Sequence, residues 1–122
     1  MSYDRVFIVA GLVCLLAGLS LGLWFFTPMG GDLSLIPSHV HFNLLGWATL
    51  ALYGLVHRAY PKMGGLWLAR PQLVLALAGA VLMPLGFALP RGSAAHIPFI
   101  GAGALCGYLG AILFLAMFVR AR

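Results

Sequence analysis

Four histidines, His39, His41, His57 and His96, are the residues of this 122-residue chain whose type and setting can do chemistry. Each lies inside or at the edge of a long apolar run, where an ionisable group is costly and is a functional candidate by default. A neutral imidazole nitrogen is a ligand for iron, copper or zinc. His39 and His41 are the informative pair. On a helix, two positions apart means about 200° around the axis, so their rings point to nearly opposite sides. They cannot jointly grip one metal ion, for which a helix offers a spacing of three or four, as in HExxH. A strand would let an HxH pair share a metal, but the unbroken apolar run argues for helix. Each of the two therefore serves a different pocket, or one of them packs.

Other reactive types are scarce. Cys14 and Cys106 sit within apolar runs without CxxC spacing, which disfavours a disulfide framework and a zinc ribbon and leaves them as packing residues. Apolar residues make up 63% of the chain and charged residues 7%, whereas an ordinary soluble domain is about 45–50% apolar and about 25% charged. So few charges cannot coat a water-soluble globule, and a lipid-facing surface needs none. A soluble enzyme is thereby excluded, and the length holds one domain, residues 1–122, with no room for a separate catalytic module. The net charge of +5 does not indicate nucleic acid, because the basic residues stand singly or in pairs at the ends of apolar runs.

The elements that must position the histidines are transmembrane helices. A bilayer core of about 30 Å takes roughly 20 apolar residues per helix, and that ruler fits four times, over residues 6–26, 35–57, 71–89 and 97–119. Thr27-Pro28-Met29-Gly30-Gly31, Tyr60-Pro61-Lys62-Met63-Gly64-Gly65 and Pro90-Arg91-Gly92-Ser93 punctuate them. Ser34 fits an N-cap of the second helix, with Pro37 tolerated in its first turn. The first run is too long for a signal-peptide core and lacks a cleavage site, so it is expected to stay as an anchor. The expected fold is all-α: an integral membrane protein of four helices. With the N-terminus inside, Arg5, Arg58, Lys62, Arg70, Arg120 and Arg122 are cytoplasmic and Arg91 alone is outside, so both termini are cytoplasmic in a bacterial-type inner membrane. Gly18 and Gly22, with Gly11 nearly in line, and Gly103, Gly107 and Ala111 form small-residue faces for close helix contact within or between subunits. Pro84 is expected to kink the third helix by freeing the carbonyl of Ala80.

The second and fourth helices run in the same direction, so His39, His41 and His96 form one layer near the outer surface. Asn43, Gly46, Tyr53 and His57 continue the side of His39 as a polar stripe that faces protein. His41 is followed by Leu45, Ala48 and Leu52, an apolar face suited to a flat macrocycle or to lipid. His57, flanked by Arg58 and Tyr60 at the cytoplasmic boundary, reads as an ordinary interfacial residue. Trp24, Trp47 and Trp67 read as core and belt residues.

The stretch Ser38-His39-Val40-His41-Phe42-Asn43-Leu44-Leu45-Gly46-Trp47, running on to Tyr53-Gly54-Leu55-Val56-His57-Arg58-Ala59-Tyr60-Pro61, resembles the histidine-bearing helices of heme-copper oxidase subunit I and its nitric oxide reductase relatives. In that family, twelve helices form three arcs of four, with the histidines on the second helix of each arc. The resemblance implies a chain equivalent to one arc, with His39 and His41 as axial heme ligands on hemes to either side. His96 matches no ligand of the family. The His-Pro-Glu-x-x-Tyr segment and the His-His pair that complete the family's copper site have no counterpart, so the usual oxygen reduction is not implied.

The reading that follows is a four-helix membrane hemoprotein that binds heme b through His39 and His41 and assembles as a homotrimer. Three copies closing a ring of heterologous interfaces bring His39 of one subunit toward His41 of the next. Two imidazoles on the iron favour electron transfer, and a single one leaves a position for oxygen or nitric oxide. An alternative is a zinc or copper site without heme, in which His39 or His41 joins His96. A purely structural small subunit of a membrane complex is the third. The lipid bilayer is the one partner the composition names, and no residue identifies a redox partner.

Overall fold

Proline and glycine set the ends of four helical rods in the computed structural model, which describes residues 1–30 and 33–121. Gly31 of the first breaker cluster and Arg122 of the charge count lie outside the described residues. Helix α1 covers Tyr3–Phe25. It stops where Thr27 turns its hydroxyl back to the Trp24 carbonyl at 2.8 Å and the chain folds over at Gly30, whose missing Cβ would coincide with the Trp24 carbonyl oxygen. After a 3-10 turn at Leu33–Leu35, α2 runs without a break over residues 36–59 in three parts. These are an α-helical segment Ile36–His41, a π-helical segment Phe42–Ala48 and an α-helical segment Thr49–Ala59. A 3-10 turn at Pro61–Gly65 leads to α3, Ala69–Ala88, and α4 follows at His96–Arg120. There is no strand among the described residues.

Helices α1, α3 and α4 are each long and apolar enough to cross a membrane. Their outer faces are correspondingly apolar: Leu16, Leu23, Val74, Leu105, Ile112 and Leu115 are exposed, a surface that suits lipid and not water. The first helix begins three residues before the expected start and the third two residues before it. Helix α3 continues unbroken through Pro84, whose carbonyl accepts a hydrogen bond from the buried Ser38 hydroxyl at 2.8 Å, tying α2 to α3.

Packing is carried by small residues, as expected where lipid supplies no hydrophobic drive and helices gain by close approach. In the α3–α4 pair, a Cβ on Gly79 would lie 2.7 Å from the Gly107 nitrogen, a Cβ on Gly86 would lie 2.7 Å from the Ile100 nitrogen, and Gly103 abuts the Met83 backbone. In the α1–α2 pair, Gly46 lies against Cys14, where a Cβ would come within 2.5 Å of the Cys14 Cβ, and Gly18 lies against Asn43. The glycine faces on both helices thus make contacts within the subunit, and Ala111 of the α4 face is exposed. Phe7, Cys14, Leu50, Ala76 and Ala80 form the central core, and Met63, Leu68, Ala69 and Met117 form a second cluster toward the chain's ends.

Candidate functional site

His39 and His41 lie on the last turn of the α-helical start of α2, immediately before the π segment. His39 turns to α1. Its Nδ1–H donates to the Gly18 carbonyl at 2.6 Å, its ring meets Phe25 edge-on at 5.8 Å, and it lies over Gly22, where a Cβ would come 3.0 Å from its Cε1. Asn43 Nδ2 donates to the His39 carbonyl at 2.8 Å. His41 turns to α3 and stacks on Phe87, with centroids 4.8 Å apart and planes at 27°. Its Nδ1–H donates to the Pro37 carbonyl at 2.7 Å, one turn back on its own helix. The opposite facing of the pair, expected from a two-residue step, is what the contacts describe.

His96 opens α4. Its Nδ1–H is shared between the Gly86 carbonyl at 2.9 Å and the Leu89 carbonyl at 3.1 Å, which closes the turn from α3. His41 and His96 therefore both gather around the C-terminal end of α3, and His39 lies beside the C-terminal half of α1. The three imidazoles occupy one end of the bundle.

Their chemistry is alike. A carbonyl can only accept, so each of these Nδ1 atoms carries the proton and each Nε2 keeps its lone pair. This is the tautomer of metal-ligating histidines, which donate the other ring N–H to a carbonyl or carboxylate that fixes the ring and raises its basicity. All three rings are partly buried. Among the described residues no three His, Cys, Asp or Glu side chains come together as a group able to hold a metal ion.

His57 is more deeply covered than an ordinary interfacial residue. It is 4% exposed, at the opposite end of the bundle, between the rings of Phe7 at 5.4 Å, Tyr3 at 6.0 Å and Phe114 at 6.2 Å. Its Nε2 lies 3.5 Å from Oε1 of the fully buried Gln72, while its Nδ1 and the Gln72 amide nitrogen have no partner among the described residues. Beside it, Asp4 pairs with Arg58 at 3.2 Å and joins the start of α1 to the end of α2.

The stripe predicted below His39 does face protein: Asn43 and Gly46 meet α1, and Tyr53 packs on Phe7 and, at 4.2 Å, on Phe114. On the other side, Leu45 reaches Gly107 of α4, whereas Leu52 is exposed. Sequence reasoning missed Gln72, Ser38, Phe25 and Phe87. Gln72 carried a signal, as a lone amide near the start of an apolar helix. The chain matches no protein-family model, no curated protein and no solved structure.

Proposed function

We propose that this is a four-span membrane protein that binds a b-type heme through His39 and His41, with three subunits closing a ring. The observation that carries the reading is the shared state of the two rings: each Nδ1–H is tied to a backbone carbonyl, each Nε2 lone pair is kept, and the two face opposite sides of α2. A donor set of this kind fits heme iron, and the residues resemble those of the oxidase helices.

The fourth span is α2. Its continuous 36–59 course measures about 35 Å at 1.5 Å per residue, which matches the bilayer core. With both termini cytoplasmic, the histidine layer lies toward the outer surface and His57 toward the inner one. Within the site, Gly18 and Pro37 hold the imidazoles against rotation. Phe87 stacks on His41, Phe25 walls His39, and both exclude water. In the trimer, His39 of one subunit shares a pocket with the partner subunit's His41. Held by both His39 and the partner subunit's His41, a heme would supply one-electron transfer, and held by one imidazole alone it would bind a diatomic gas.

Absorption spectroscopy of protein purified after heme-replete expression tests the proposal. His39→Ala and His41→Ala should each convert a low-spin six-coordinate spectrum to a high-spin one or abolish heme retention. A colourless parent, or three variants at His39, His41 and His96 that all keep the parent spectrum, refutes it. The convergence of His41 and His96 on the end of α3 favours a second reading, a zinc or copper ion held by imidazoles. Bound metal without heme, lost on His96→Ala, would select that reading.

A further inference from the structure

The turn Pro61–Gly65 and the residues that lead from it into α3 form a platform with an inner and an outer side. Met63, Leu68 and Ala69 are buried and pack with Met117 of α4. Backbone hydrogen bonds from Met63 to Tyr60, Leu66 to Met63 and Ala69 to Leu66 hold the chain between them in tight turns. Lys62, Trp67 and Arg70 are left on the outer side. Trp67 is 79% exposed, a large ring that the rest of the subunit does not cover. The one ion pair among the described residues joins Arg58 to Asp4, so Lys62 and Arg70 have no acidic partner there.

The level of this platform follows from α3. Its 20 residues, Ala69–Ala88, cover about 30 Å at 1.5 Å per residue, the thickness of a bilayer core. Arg70, the second of them, therefore stands where hydrocarbon gives way to headgroups, and Trp67 stands with it. On the same face of the helix, at steps of three, four and their sums, Val74, Val81 and Leu85 follow, all exposed. The surface is thus cationic and aromatic at its end and apolar along its length. A soluble anion would answer the charges and leave the ring and the stripe unmatched. A molecule with an anionic head and a long hydrocarbon tail answers all three.

We infer that this face is a binding site for an anionic phospholipid. Its phosphate pairs with Lys62 and Arg70, its glycerol region rests against Trp67, and an acyl chain lies along Val74, Val81 and Leu85. A zwitterionic phospholipid carries an ammonium group beyond its phosphate, which two unpaired cations disfavour, so the site discriminates by net headgroup charge. A basic residue close to anionic lipid contributes a factor of about five in binding. The inference rests neither on heme nor on which side of the membrane the platform faces.

Lipid competition in reconstituted vesicles provides the test, with Trp67 as sole fluorescent reporter after Trp24→Phe and Trp47→Phe. At equal mole fraction, phosphatidylglycerol brominated on its acyl chains should quench Trp67 more strongly than brominated phosphatidylcholine with the same chains, a preference of about fivefold or more. Lys62→Ala combined with Arg70→Ala should bring the two lipids to equality. Arg5→Ala should leave the preference nearly unchanged, because Arg5 lies two residues from Tyr3, whose ring is the nearest neighbour of Gly64 in the platform, and so belongs to the far side of α1. Soluble glycerol 3-phosphate should not compete. Native mass spectrometry of the parent chain in detergent makes the same comparison with all tryptophans in place: phosphatidylglycerol should stay bound where phosphatidylcholine dissociates, and should be lost from the double variant. Equal binding of the two lipids, a preference that survives the double variant, an equal loss in Arg5→Ala, or displacement by glycerol 3-phosphate would each overturn the inference.

Discussion

Each of the three histidines gathered at one end of the bundle is fixed by a carbonyl from a different source, and this decides how its neighbours will respond to substitution. His39 leans on another helix through Gly18, His41 on its own helix through Pro37, and His96 on the turn that it closes. Asn43 belongs to the first of these arrangements, because its amide binds the His39 carbonyl and fills the notch left by Gly18. Asn43→Ala removes one partly buried hydrogen bond, so denaturation in detergent should report a loss of about 1 kcal/mol. If His39 ligates heme, the same variant should perturb the absorption bands less than His39→Ala does. Gly22→Leu should perturb them too, by pushing on the His39 ring, and an unchanged spectrum in both variants would separate His39 from the iron. The opposite facing of His39 and His41 was legible in the sequence, since it follows from helix period alone. The burial of His57 was not, because the rings of Tyr3, Phe7 and Phe114 that cover it come from two other helices.

Among the elements, the α3–α4 pair is the most tightly matched, and its tolerance should vary sharply along one helix. Gly79 and Gly103 face backbone atoms that cannot yield, so Gly103→Val should cost about 1–3 kcal/mol or more by overpacking. Gly101 has open space where its Cβ would be, and Gly101→Val should change stability by no more than about 0.5 kcal/mol. Unfolding of the two variants in the same detergent gives the comparison, and equal losses would mean that α3 and α4 do not meet at this face. Helix positions were readable because lipid enforces long apolar runs and Pro-Gly clusters end them. The π segment Phe42–Ala48 was not readable, since its apolar pattern suits an α repeat equally well. What distinguishes it is local and tertiary at once: Thr49 sends both its backbone N–H and its hydroxyl to the Leu44 carbonyl, five residues back, and Gly46 seats on Cys14. Segments of this kind occur disproportionately at functional sites, and this one adjoins the two histidines.

On the scale of the whole molecule, the proposed topology, which the distribution of basic residues favours, has both chain ends in the cytoplasm. A reporter fused after the last residue should be active only when it is a cytoplasmic type, and the opposite result would invert the protein and carry the histidine layer to the inner surface. Native mass spectrometry in detergent should give a trimer retaining heme. A heme-loaded monomer would eliminate the shared pocket, and a dimer would replace threefold with twofold pairing. The molecule itself divides into two hairpins, α1 with α2 and α3 with α4, joined through the short turn Pro61–Gly65. Side-chain hydrogen bonds cross between them from Ser38, which adjoins His39, and from His57. The stacking of His41 on Phe87 crosses there as well. The seam between the two hairpins therefore passes His41 at one end of the bundle and His57 at the other, so that any parting of the two valves is felt at both ends together.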